Sequence, residues 1–382
     1  MTDRPRSGRR LDFLDALRGV AVALVLVQHV GERLFPAVRE FGAHVAQLGQ
    51  LGVVVFFLCS GFIIPASLER PGDGGRAARL RSFWRSRFFR LYPIYWLSLA
   101  GALLLAGLGR GTAAGVLHTG GWLANATMLQ GLAGVPHALG IYWTLTYELL
   151  FYIGASLLYL AGLHRRSVAV SLAGAGACLA AAVLSGPVLH RPAPLAVFCL
   201  ATMFTGTVFH RWHSGATSLR ALAGCLAATL GAGAVLLFSS LHDGAPGDPE
   251  GTRSLVPMLV AWTAAYALFC GGVLLRNRRL PRVLPFLGRI SYSAYLMHAL
   301  VLLAVPALPW PVLTAAVWIA VTVLVATLTH RLVELPAVRL GRALGNRPNR
   351  AAEDAAPSLP PVPDAAGRPA HRPAPAAVRS AA

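Results

Sequence analysis

The chain has 382 residues, of which 55% are hydrophobic and only 13% charged, with a formal net charge of +19. That balance excludes an ordinary soluble globular protein and indicates an all-α polytopic membrane protein. Lysine is absent, so all 34 basic residues are arginine; they read as a topology signal that suits an anionic leaflet, not as a nucleic-acid surface.

Residues 1–11, with four arginines, form a predicted cytoplasmic N-terminus. Apolar stretches long enough to span a bilayer follow near 12–34, 46–67, 91–108, 141–161, 168–188, 194–210, 220–240, 254–275, 286–305 and 311–330, about ten transmembrane helices. The first run is too long for a cleaved signal peptide and is read as a retained helix. It carries Arg18 and His29, eleven residues apart. At about 100° per residue both leave one face of a helix, roughly 16 Å apart along its axis. A strong base and an imidazole are costly in lipid, so the pair points to chemistry within the membrane.

Between the second and third stretches lies RLRSFWRSRFFRLYPIYW, in which Arg79, Arg81, Arg85, Arg87 and Arg90 alternate with Phe83, Trp84, Phe88 and Phe89. It reads as an amphipathic helix at the inner interface, leading into a helix anchored by Tyr92, Tyr95 and Trp96. The composition leaves two roles open, a membrane anchor or an anion site. Residues 113–133 contain glycines, a histidine and an asparagine, and are expected to form a loop or re-entrant piece, since irregular backbone survives at depth only inside protein.

Glu148 lies early in the fourth stretch, in IYWTLTYELLFYIG, and His298 in SYSAYLMHALVL of the ninth. Glu148 is expected in the outer half of the membrane, within reach of His29. A buried histidine is often only a packing residue, whereas a lone carboxylate in a membrane is more often functional. The five cysteines fall in predicted helices without metal-ligand spacing and read as small core residues. The Pro/Ala-rich segment 341–382 is expected to be a disordered cytoplasmic tail after a membrane domain at 12–340.

Arginine placement tests this organisation. With both termini cytoplasmic, 28 arginines fall inside, five fall outside, and Arg18 lies within the first helix. The bias supports ten helices, and an eleventh at 113–133 would disrupt it.

Six motifs in order now give a resemblance. Arg18 and His29 follow the opening LDALRG; GVVVFFLCSGFII supplies Gly52, Phe56, Phe57, Ser60, Gly61 and Phe62. Arg87 and Arg90 precede Leu91, Tyr92 and Pro93, and WTLTYELLFY supplies Trp143, Glu148, Phe151 and Tyr152. SYSAYLMH supplies Ser291, Tyr292, Tyr295 and His298, and RLVELPAVRL supplies Glu334 and Pro336. Over about residues 10–340 the chain resembles the acyltransferase-3 family of integral-membrane O-acyltransferases. Thr144 stands where the family usually has serine. The resemblance implies transfer of an acyl group, acetyl by default, from cytoplasmic acyl-CoA to a hydroxyl on a carbohydrate or glycosylated acceptor, without a metal. Some members carry a soluble esterase-like domain after the last helix, and none is expected here.

Acyl transfer to an alcohol needs a base, oxyanion stabilisation and a place for the leaving thiolate. With an ordinary imidazole pKa of about 6.5, His29 is the expected base, oriented by Glu148. Arg87 and Arg90 are expected to hold CoA phosphates, and Arg18 to bind the pyrophosphate or steer the arm. Trp143, Tyr147 and His298 are expected to contact substrate, with His118, Trp122, Asn125 and His137 as candidate sugar contacts. Ser60 reads as packing, which implies direct transfer without a covalent enzyme. The acceptor is expected to be an envelope glycan, its lipid-linked precursor, or a glycosylated natural product of macrolide type. The chain is placed in the cell membrane as a multi-pass protein. A multi-pass transporter is the rival from another class, and the sequence lacks the internal repeat that would favour it.

Overall fold

A computed structural model describes residues 12–69, 75–111, 113–185, 194–242, 255–278 and 280–355, without side-chain detail at 242 and 346–355. The predicted segments 1–11 and 356–382 lie outside the described residues. Within them the chain is helical and contains no strand: α1 (Asp12–Leu34), α2 (Pro36–His44), α3 (Leu48–Leu68), α4 (Arg76–Gly107), α5 (Ala114–His118), α6 (Trp122–Ala126), α7 (Trp143–Leu160), α8 (Ser167–Ser185), α9 (Ala196–His213), α10 (Leu219–His242), α11 (Leu255–Leu274), α12 (Val283–Arg289), α13 (Ser291–Ala304), α14 (Pro311–Thr329) and α15 (Leu335–Ala355).

Each of the ten apolar stretches overlaps one of these helices. Among the described residues eight helices are long and apolar enough to cross a bilayer. The pair α12–α13, bent by 76° at its break, makes a ninth when taken as one span. The remaining stretch, 194–210, corresponds to α9, which has only 18 residues and carries His210, Arg211 and His213 in its last turn. The protein is an all-α polytopic membrane protein.

Small residues set the packing. A Cβ on Gly288 of α12 would stand 1.7 Å from the Asp15 carbonyl oxygen of α1, so these helices touch backbone to backbone. A Cβ on Gly61 of α3 would stand 2.0 Å from the Met203 carbonyl oxygen of α9. Such close approach lets dispersion forces and buried hydroxyl bonds hold helices together where lipid gives no hydrophobic drive. Ser171, Thr205 and Thr229 link α8, α9 and α10 at 2.9 Å per step.

Two helices exceed what a span requires. α4 has 32 residues, about 48 Å of helix against a hydrocarbon core of about 30 Å. The predicted interfacial helix and the span after it are thus one continuous element, with Pro93 inside it. α14 and α15 run on through a π-helical turn at His330–Glu334. Residues 341–355, assigned to the tail on sequence, continue that helix. They do so because Gly341 and Gly345 let α15 press on Phe89 and Arg85 of α4.

Candidate active site

Arg18 of α1, Arg87 and Arg90 of α4, and Glu148 and Tyr152 of α7 form one electrostatically linked group. Arg18 is within electrostatic range of Arg90, Glu148 and Tyr152. Arg87 donates from Nη2 to Ser67 Oγ at 3.2 Å. Its guanidinium carbon lies 5.4 Å from the Phe83 ring centre and 5.5 Å from that of Tyr152. Arg87 Nε is buried and has no hydrogen-bond partner among the described residues. The Glu148 Oε1 atom accepts from Ser60 Oγ at 3.1 Å and from the Tyr152 hydroxyl. Ser60, read from sequence as packing, therefore holds a carboxylate. The Glu148–Tyr152 spacing of four residues in one helix was the available signal for their contact. Beside Arg87 a groove of about 400 Å³ runs along α4, lined by Trp84, Phe88, Tyr92, Trp96 and, from α7, Leu149.

Farther along α1 the His29 ring faces the His298 ring of α13, with centres 5.1 Å apart. His29 Nδ1 lies 3.0 Å from the Val25 carbonyl oxygen. A carbonyl only accepts, so this contact puts the proton on Nδ1 and the lone pair on Nε2. His298 Nδ1 lies 3.3 Å from the Ala294 carbonyl oxygen. His298 is buried, and its Nε2 has no hydrogen-bond partner among the described residues. One turn below His298, the Tyr295 hydroxyl meets Thr144 Oγ1 at 2.9 Å and donates to the Ile141 carbonyl at 3.1 Å. Thr144 thus keeps the hydroxyl function of the serine it replaces.

Residues 113–142 descend into the bundle. The hydroxyl of Tyr92 donates to Thr127 O at 3.0 Å, that of Tyr95 to Asn125 O at 2.6 Å, and Trp96 Nε1 to Ala126 O at 3.0 Å. Tyr95 is twelve residues before the end of α4, so this segment dips about 18 Å below that end. Tyr142 stacks on Tyr95 with centres 4.8 Å apart and meets Ser98 Oγ at 2.8 Å. This segment, expected to be a loop or re-entrant piece, packs against α4, and the residues that lead into α7 lie beside Tyr95 and Ser98.

Glu148 lies within electrostatic range of Arg18, and the ring that faces His29 belongs to His298. Trp143 packs at the head of α7 between Phe57 and Tyr147, at centre distances of 6.5 and 5.6 Å. Asn125 is fully buried and spends its amide within the loop, donating to Gly121 O and Pro136 O and accepting from Ala138 N, each at 3.0 Å. It is a structural residue, not a surface for a sugar. His137 Nδ1 accepts from Gln130 Nε2 at 2.8 Å, while His118 and Trp122 are exposed. Among the described residues no three His, Cys, Asp or Glu side chains are grouped to hold a metal ion.

Sequence reasoning also did not assign the cluster around the π-turn. Glu334 is buried; its Oε2 accepts from Ser293 Oγ at 2.8 Å and lies 2.9 Å from His330 Nδ1. The motif RLVELPAVRL, which contains Glu334, and the four-residue spacing of His330 and Glu334 were the local signals.

The arrangement gives a cationic end and an imidazole end along α1. Comparison with known proteins agrees with such chemistry. A family profile described as an acyltransferase domain, acyltransferase-3, matches residues 11–331. The chain is 27% identical to the acyltransferase MdmB of Streptomyces mycarofaciens, over 91% of this chain and 97% of that protein. It is 29% identical to nodulation protein 10 of Rhizobium leguminosarum bv. viciae, over 88% and 96% respectively. A putative O-acetyltransferase of Staphylococcus aureus (strain COL) is 32% identical over 85 residues, 22% of this chain and 12% of that protein. No solved structure matches the chain at a significant level. The match over most of the chain sets the carrier reading aside: this membrane-spanning protein belongs to the acyltransferase-3 family.

Proposed function

We propose that the protein transfers an acyl group, acetyl in the simplest case, from acyl-CoA to a hydroxyl of a carbohydrate or glycosylated acceptor. The observation that carries this reading is the division of labour along α1, with the arginine cluster around Arg18 at one end and the His29–His298 pair at the other. Arg87, Arg90 and Arg18 take the phosphates of the donor, for which guanidinium geometry is suited. The nearly uncharged pantetheine arm runs from them towards His29. The arginine bias of the loops puts the cationic end and both termini on the cytoplasmic side of the cell membrane, where acyl-CoA is found.

His29 Nε2 takes the proton of the acceptor hydroxyl as its oxygen attacks the thioester carbonyl. Collapse of the tetrahedral intermediate breaks the carbon–sulfur bond, and the departing thiolate recovers that proton from the imidazolium. His298 Nε2 faces the same space and binds the acceptor, with Trp143 and Tyr147 beside it. Glu148 acts at the other end: held by Ser60 and Tyr152, it fixes Arg18 and offsets part of the positive charge. The acceptor is an envelope glycan, its lipid-linked precursor, or a glycosylated product of macrolide type.

The test measures thiol release from acetyl-CoA by purified protein with candidate acceptors. Release that depends on acceptor is expected, and His29→Ala should lower it by about 10² to 10⁴-fold in protein that still folds. A folded His29→Ala protein with unchanged transfer removes His29 as the base.

A further inference from the structure

We infer that Glu334 is a positioning residue of the donor site, acting through Arg90; this rests on the reading of the arginine cluster as the site for CoA phosphates. Glu334 is 5% exposed, and three elements converge on it. Its Oε2 accepts from Ser293 of α13 at 2.8 Å and lies 2.9 Å from Nδ1 of His330 in its own π-turn. Arg90 of α4 is within electrostatic range of it. The same Arg90 is within range of Arg18 and Arg87. Tyr292 closes the arrangement: it lies within range of both Glu148 and Glu334, and its hydroxyl donates to the carbonyl of Leu91, next to Arg90, at 3.0 Å.

A buried carboxylate costs several kcal/mol unless it is hydrogen-bonded and offset by a cation. Glu334 has Ser293 and His330 on one oxygen, and Arg90 lies within electrostatic range to offset its charge. The π-turn is a further sign. Such turns carry one residue beyond the α pattern, are rare, and occur frequently at functional sites. Here the turn joins α14 to α15 at the level of Arg90 and delivers both His330 and Glu334. Glu148 acts on Arg18 and Arg87 from α7, and Glu334 lies within electrostatic range of Arg90 from the π-turn.

Binding of coenzyme A to purified full-length protein in nanodiscs, followed by calorimetry, tests this. Arg90→Ala should raise the Kd for coenzyme A about tenfold or more. Glu334→Gln keeps the shape but loses the charge, and Glu334→Asp keeps the charge but withdraws it from Arg90. Each should raise the Kd about fivefold, and each effect should vanish in the Arg90→Ala background. If Glu334→Gln is not obtained folded, Ser293→Ala carries the same test, with an expected rise of about threefold that again depends on Arg90. Tighter binding by Glu334→Gln, wild-type binding by Glu334→Asp, or losses that persist without Arg90 overturn the inference alone. Failure of the wild-type protein to bind coenzyme A overturns the donor-site reading and the inference with it. An unchanged Kd in Arg90→Ala does the same.

Discussion

Two charged clusters in this bundle use the same residue types and do opposite things. At the ends of α3 and α9, Arg211 forms a bidentate pair with Glu69, with Nη1 to Oε2 at 2.9 Å and Nη2 to Oε1. The same guanidinium reaches the His164 carbonyl oxygen at 3.4 Å, and His164 Nε2 is 3.4 Å from Glu69. Both Nη atoms of one guanidinium are taken up by one carboxylate, with Arg165 also within electrostatic range. In the other cluster three arginines are grouped with two carboxylates, Glu148 and Glu334, and no bidentate pair is formed among the described residues; Arg87 Nε and Arg211 Nε are alike in being buried without a hydrogen-bond partner. Surplus positive charge in a low-dielectric setting is expensive unless an anion completes it. The first cluster therefore reads as a clamp and the second as a receptor.

Substitutions separate the two. Arg87→Ala should raise the apparent KM for acetyl-CoA about ten- to a hundredfold with little change in thermal stability, since a charge-assisted contact to substrate is removed. An unchanged KM would make Arg87 an anchor and erase the contrast. Glu69→Ala should do the reverse, leaving the KM alone and lowering Tm, with a cost of about 1–3 kcal/mol from the unpaired Arg211. A raised KM there would show that both clusters serve the donor.

The smallest effect is in pH. Burial pushes the Glu69 carboxyl up, but the Arg211 hydrogen bond and charge outweigh it and hold it below the usual carboxylate range. Burial, ahead of the opposing pull of Glu69, lowers His164. Both depressed groups favour the folded state above their unfolded values, near pH 4.3 and 6.5, and that contribution is lost as pH falls through the folded values. Thermal scans of the wild-type protein should therefore lose stability on acidification below about pH 6.5. Glu69→Gln should flatten the lower part of that slope, and an equal slope in the variant would place the acid sensitivity elsewhere.

The sequence disclosed what depends on composition and short spacing. Hydropathy located all ten helical stretches because lipid imposes one requirement on every residue it touches, and the eleven-residue interval set Arg18 and His29 on one face. It did not disclose that His29 meets His298, 269 positions away, because nothing local ties α1 to α13. The π-turn escaped as well: one added residue within a continuous helix leaves no compositional trace, yet it brings Glu334 onto Ser293 of α13 and within electrostatic range of Arg90.

Residues 113–142 bear on how the chain is assembled. Their two helices have five residues each, so most of the backbone between them lacks intrahelical partners. Each such group left bare in hydrocarbon costs several kcal/mol, and no translocation channel would release this segment into lipid by itself. Turns within the segment bond much of this backbone, and Tyr92, Tyr95 and Trp96 on α4 and the amide of Asn125 bond further carbonyls. The irregular segment therefore depends on α4 for part of its bonding, and loss of the Tyr95 hydroxyl or the Trp96 indole would leave the carbonyls of Asn125 and Ala126 without those partners.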